Sequence, residues 1–90
     1  MPRLPDQEIT GALIRAARAL AGITSATLAE DAGISVITIK RAETSLGNLS
    51  IRPATAEAIV SAFQRRGVGF IRGSGAGEGP GVILLGSPPD

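Results

Sequence analysis

Twenty residues, Thr24 to Glu43, read T-S-A-T-L-A-E-D-A-G-I-S-V-I-T-I-K-R-A-E and constrain the fold more than any other stretch of the chain. Thr24 and Ser35 each stand one residue ahead of a short run with helical spacing. There a side-chain oxygen can accept from a backbone N–H of the first turn. Gly33 separates the runs and can take the left-handed conformation that a residue with a Cβ resists. The spacing predicts a helix from Ser25 to Ala32, a tight turn at Gly33-Ile34-Ser35, and a helix from Val36 to about Thr44. Ala29, just ahead of the glycine, is small enough for the next helix to approach closely. Ile39, beyond it, would plug the gap between the helices, with Leu28 and Ile34 completing the wedge. These offsets describe a helix-turn-helix. A generic αα-hairpin inside a small helical bundle satisfies the same spacing.

The flanking sequence adds two more helices. Thr10 can cap a helix through Gly11 to Ala21 that stops at Gly22, with an apolar face of Leu13, Ala16 or Ala17, and Leu20. Asp6 is an alternative cap for an earlier start. Residues 45–50 form a loop by composition. Pro53 suits the first turn of a fourth helix running to Arg66 and ending at Gly67, with a buried stripe of Ala56, Ile59, Val60 and Phe63. Beyond it, Val68 to Arg72 and Val82 to Leu85 are β-prone runs joined by a Gly-rich connection. A two-stranded hairpin is marginal alone in water, so these strands need the helical body or another chain. The expected organisation is an N-terminal leader over 1–9, a four-helix domain over 10–67, a strand region over 68–86 and a frayed tail over 87–90.

Composition removes most chemistry. The 90 residues contain no Cys and no His, hence no thiolate, no disulfide framework, and neither the commonest general base nor the commonest metal ligand. No enzyme, cofactor or metal is expected. A chain this short buries about 60–65% of its unfolded surface, so stabilisation by a partner subunit is reasonable. The N-terminus lacks the apolar run of a signal peptide, and no stretch approaches a membrane span, so a cytoplasmic protein without a membrane partner is expected. The overall charge is +1, with nine basic and eight acidic side chains. Between Thr10 and Arg72, however, eight bases face four acids, a net +4, which suits a polyanion. Gly73 to Gly81 does not match a nucleotide-binding G-x-G-x-x-G, and no helix follows it to hold phosphates. Glu30 and Asp31 point different ways from one helix and are expected to be solvated.

Three segments, Ile14 to Gly22, Leu28 to Ser35 and Thr38 to Glu43, resemble the Cro/phage-repressor (XRE-type) helix-turn-helix transcriptional regulators. The run from Arg52 to Glu57 and on through Gly67-Val68-Gly69-Phe70-Ile71, with Gly79-Pro80-Gly81-Val82, is similar to a small bacterial subgroup with a short C-terminal strand region. The resemblance covers roughly residues 10 to 85. It implies a mostly α, compact four-helix domain of the Cro/repressor type followed by a β-hairpin or strand pair. It also implies that Arg18, late in the first helix, pairs with Glu43 at the end of the recognition helix. Two positions depart from the family: Ser25 stands where a Gln is common, and Val36-Ile37 occupies the usual polar or basic opening of the recognition helix.

With Ile39 turned inward, Ser35, Val36, Ile37, Lys40, Arg41 and Thr44 fall on the outward side of the third helix. Lys40 and Arg41 can contact guanine edges or phosphates, and Val36 and Ile37 thymine methyl groups. Thr24 and Ser25 place free backbone N–H groups where a phosphate can sit, and Arg52 is a further phosphate candidate. Arg65 and Arg66 suit the negative end of the fourth helix. The expected function is sequence-specific binding of double-stranded DNA, as a repressor occupying an operator in the bacterial nucleoid. One helix-turn-helix reads few base pairs, so a homodimer on a two-fold site is expected, built through the C-terminal strands. Two rival readings are an antitoxin-like DNA binder whose strands hold a protein partner, and an interaction module that has lost DNA binding.

Overall fold

A computed structural model describes residues 4–5, 8–44, 52–73 and 79–85. Four helices precede two strands: α1 Gly11–Ala21, α2 Ser25–Ala32, α3 Val36–Glu43, α4 Pro53–Arg65, β1 Val68–Arg72 and β2 Pro80–Leu84. The protein is mostly helical, with a C-terminal antiparallel two-stranded sheet. The boundaries have local causes. Thr10, Thr24 and Ser35 sit in extended backbone and accept from the N–H of Leu13, Thr27 and Thr38, which satisfies donors that a first helical turn leaves open. Gly22 and Gly33 end α1 and α2 at φ 71°, and Gly67 follows α4 at φ 78°. The fourth helix is one residue shorter than its sequence predicts, because Arg66 already leaves helical geometry as the cap.

The strands pair within the chain, in the register Val68↔Leu84, Gly69↔Ile83, Phe70↔Val82, Ile71↔Gly81 and Arg72↔Pro80. The second strand starts at Pro80 rather than Val82 and stops at Leu84. Leu85 donates its N–H to the Gly67 carbonyl, and Gly73 donates to that of Gly79. In an antiparallel ladder these bonds alternate, so Val82 and Leu84 turn their N–H and C=O groups away from β1. Among the described residues nothing pairs with that outer edge of β2. The outer edge of β1 receives the Leu4 N–H at the Phe70 carbonyl, 3.0 Å away.

One core joins Ile14 and Ala17 of α1, Leu28 and Ala29 of α2, Ile39 and Ala42 of α3, Ile59, Val60, Ala62 and Phe63 of α4, and Val68 and Phe70 of β1, with the partly buried Val82 of β2 packed against it. The α4 stripe read from the sequence is the buried one, with Ala62 added. Phe63 and Phe70 meet edge to face, centroids 5.6 Å apart at 75°, which fastens the hairpin to α4.

Two sequence expectations are corrected. In α1 the buried face is Gly11, Ile14 and Ala17; Leu13 is half-buried, and Ala16 and Leu20 are exposed. Helical spacing permits either face, and contact with α3 selects one. A Cβ on Gly11 would stand 2.5 Å from the Glu43 carbonyl oxygen and 2.6 Å from that of Ala42, so Gly11 must face α3. The N-terminal segment is no detached leader either, since Leu4 and Ile9 are 2% and 1% exposed within the core. Isolated between prolines and polar residues, they show no periodicity to betray them. Asp6, the loop over 45–50, the middle of the Gly-rich connection and the tail over 87–90 lie outside the described residues. Among the described residues no helix is long and apolar enough to cross a membrane.

Candidate nucleic-acid interface

The turn between α2 and α3 closes as its residues predict. Ile34 donates to the Ala29 carbonyl at 3.0 Å and Gly33 to that of Glu30 at 3.3 Å, wrapping the end of α2 back on itself. Leu28 and Ile39 are fully buried, Ala29 nearly so, and Ile34 packs against them half-buried. With Ile39, Ala42 and Glu43 inside, Ser35, Ile37, Lys40, Arg41 and Thr44 stand on the exposed side of α3. Val36 does not fully join them: it is half-buried and packs against the core. Of the two apolar residues opening the helix, only Ile37, 66% exposed, is offered to an outside partner.

The hydroxyls are engaged locally. Thr24 Oγ1 accepts from Thr27 N–H and donates to Thr27 Oγ1, both at 3.1 Å. Ser35 Oγ accepts from Thr38 N–H at 3.1 Å and lies 2.9 Å from Thr38 Oγ1. Thr44 Oγ1 donates to the Arg41 carbonyl at 3.0 Å. These side chains therefore fix helix ends, and in the first turn of α2 the Thr27 N–H is already taken by the Thr24 cap, which leaves the N–H groups of Ser25 and Ala26 for an anion. Ser25, the first residue of α2, is half-buried. Arg52 is exposed at the start of α4, outside the α2–α3 unit, where it precedes Pro53 without capping through its side chain.

The C-terminus of α3 is clamped to α1. Arg18 Nε donates to Glu43 Oε2 at 2.7 Å and its Nη2 to Oε1 at 3.0 Å, a bidentate pair beside a carboxylate side chain only 9% exposed. The hydrogen bond to Glu43 raises the Arg18 pKa against the opposing effect of burial. Arg18 also donates to the Ile23 carbonyl, and Arg15 Nη1 donates to the Glu43 carbonyl. Arg15 and Gly11 were not among the expected site residues. The signal is present in the sequence, because Gly11, Arg15 and Arg18 share one helical face at i, i+4 and i+7.

A second clamp joins α2 to α4. Arg66 Nε donates to Asp31 Oδ2 at 2.5 Å and Arg65 Nη2 to the Asp31 carbonyl at 2.7 Å. Asp31 is thus not simply solvated, and its two arginine partners do more than face their own helix dipole. The Arg66 hydrogen bond holds the Asp31 carboxyl below its ordinary pKa. With Arg72 paired to Glu8, the bases Arg15, Arg18, Arg65, Arg66 and Arg72 all have contacts inside the fold. The exposed side of α3 nevertheless carries Lys40 and Arg41 and no acid, since Glu43, the sole acid of α3, is turned inward. No protein-family model matches the chain, and no curated protein matches it.

Proposed function

We propose that this protein is a DNA-binding transcriptional regulator, a repressor that occupies an operator as a homodimer. The observation that carries the reading is the exposed side of α3. It presents Ile37, Lys40, Arg41 and Thr44 on a helix capped by Ser35 at one end and held by Arg15 and Arg18 at the other. An eight-residue helix is marginal by itself. The local cap at one end and the tertiary clamp at the other supply the fixed geometry that reading base edges in a major groove about 12 Å wide requires. The open first-turn N–H groups of α2 suit a backbone phosphate, which positions without specifying.

The outer edge of β2 supports the two-fold assembly. A second β2 running antiparallel, with the dyad at Ile83, would match Val82 of each copy to Leu84 of the other, using outward N–H and C=O groups only. A register centred on Val82 would oppose Leu84 to Pro80, which has no N–H to donate, so the Ile83 register is favoured. The strand carries no charge to repel its own copy. The same open edge favours one further reading, the antitoxin-like one, in which a strand of a different protein takes that place.

The deciding experiment is fluorescence anisotropy against duplexes tiled across the region upstream of the coding sequence, over a range of salt. Tight, salt-sensitive binding to one tile is expected. Lys40→Ala and Arg41→Ala, with helicity unchanged by circular dichroism, should each weaken it and reduce the salt slope by about one phosphate contact. Absence of salt-sensitive binding to every tile would refute the reading.

A further inference from the structure

We infer that Gly11, with Arg15 one turn further along α1, is a positioning residue for α3: the two set where the exposed side of α3 stands relative to the rest of the domain, and act on DNA binding without touching DNA. The inference rests on the proposed DNA-binding function and names what aims that surface. Gly11 opens α1, and it is not among the described glycines with positive φ, which are Gly22, Gly33 and Gly67. Its backbone therefore has no need of glycine, and alanine is the better helix former. What requires glycine is space. A Cβ at position 11 would stand 2.5 Å from the Glu43 carbonyl oxygen, 2.6 Å from that of Ala42 and 2.7 Å from the Glu43 carbonyl carbon. All three are backbone atoms of the last turn of α3, so no side-chain rotation relieves the contact.

The end of α3 is also held differently from the ends of α1 and α2, which stop at left-handed glycines. It stops at Thr44 in right-handed geometry, φ −92° and ψ −1°, and the carbonyl of its last residue, Glu43, accepts from Arg15 Nη1 of α1. A local cap shapes a helix end, whereas a cap supplied by another helix also fixes where that end lies. One face of α1 thus meets the end of α3 three times: at Gly11 by close approach, at Arg15 on the carbonyl, and at Arg18 on the Glu43 carboxylate. Lys40 and Arg41 lie within a turn of Glu43, so a displacement there carries them with it. Restoring an ordinary contact of about 3.5 Å to an alanine Cβ would open the α1–α3 approach by about 1 Å. A binding constellation must be held to within about 0.5 Å, so that shift is large enough to misplace the contacts of α3.

The test uses one duplex enriched from a random-sequence pool by binding to the full chain, and the same duplex scrambled. Both are measured by fluorescence anisotropy over a range of salt, at a temperature where urea unfolding shows each variant to be folded. Gly11→Ala and Arg15→Ala should each weaken binding to the enriched duplex about tenfold, the loss of one well-aligned base contact. Binding to the scrambled duplex and the salt slope should stay at their wild-type values. Arg15→Lys, which keeps one donor for the Glu43 carbonyl, should recover part of the loss. A role confined to stability would lower the urea midpoint and leave both affinities unchanged, and that result overturns the inference. So does an equal loss on both duplexes in Arg15→Ala with a salt slope reduced by about one, which assigns Arg15 to a phosphate. If Gly11→Ala does not fold, Arg15→Ala and Arg15→Lys decide by the same criteria. Either of these overturning results leaves the DNA-binding reading intact, whereas failure of the wild-type chain to enrich any duplex overturns both.

Discussion

At the scale of single residues, Glu43 is where a binding defect and a folding defect are most easily confused. It sits one turn from Lys40 on the same helix, yet its carboxylate faces inward and holds Arg18 with two hydrogen bonds. Glu43→Gln leaves the guanidinium partly buried without a counter-charge. A loss of about 3 kcal/mol of stability is expected, read as a lower urea midpoint at unchanged slope. Arg18→Met combined with Glu43→Leu should cost less than the two single changes added together, because neither charge is then stranded. Asp31 gives a second residue-scale expectation. Its carboxyl pKa lies below the ordinary 3.8, chiefly through the Arg66 hydrogen bond. A group depressed in the folded state contributes stability fully above its unfolded pKa, and that contribution is lost as pH falls through the folded value. Below about pH 4, Asp31→Asn should therefore flatten the acid-side decline in thermal midpoint, with little pH-dependent difference from wild type at neutrality. An unchanged acid slope would contradict the clamp.

At the scale of elements, β1 belongs to the core and β2 carries the edge of the proposed dimer. Val68 and Phe70 of β1 are core residues, so truncation at Gly67 would unfold the domain before it could report on dimerisation. The discriminating changes lie on β2. Leu84→Pro removes an outward N–H at a half-exposed position and should halve the molar mass seen by light scattering while far-UV circular dichroism is retained. Ile83→Cys should form a disulfide-linked dimer under mild oxidation, since the proposed dyad brings position 83 of two copies face to face. Crosslinking at position 82 in preference to 83 would exclude that register. The strand region was legible from sequence as a hairpin or strand pair; the choice between pairing within the chain and pairing between chains was not, because an uncharged apolar strand satisfies either partner.

At the scale of the whole molecule, the N-terminal segment closes the core. Leu4 is buried and donates its N–H to the Phe70 carbonyl, while Ile9 fills the space before α1. Residue 4 thereby lies on the outer edge of β1, with β2 on its inner edge. Leu4→Ala should lower unfolding stability by about 2–4 kcal/mol, the range for emptying a buried leucine site, measured by urea unfolding. A change below about 0.5 kcal/mol would mean that this segment is not part of the folded unit.

Local chemistry determined a good deal by itself. Thr10, Thr24, Ser35 and the glycines at 22, 33 and 67 marked the helix ends because capping and positive φ depend on one residue and its nearest neighbours. The α4 stripe and the Leu28–Ala29–Ile39 wedge followed from spacing, since a helix sorts its side chains by period alone. The Arg18–Glu43 pair entered through family resemblance, as nothing local connects residues 25 apart. Tertiary structure alone decided the rest. It chose which of two plausible faces of α1 is buried, through the backbone of α3 against Gly11. It drew Val36 into the core and left Ile37 outside. It also turned Asp31 from a surface acid into a clamp for Arg65 and Arg66. In each case local spacing permits more than one arrangement, and the close packing of elements distant in sequence selects among them.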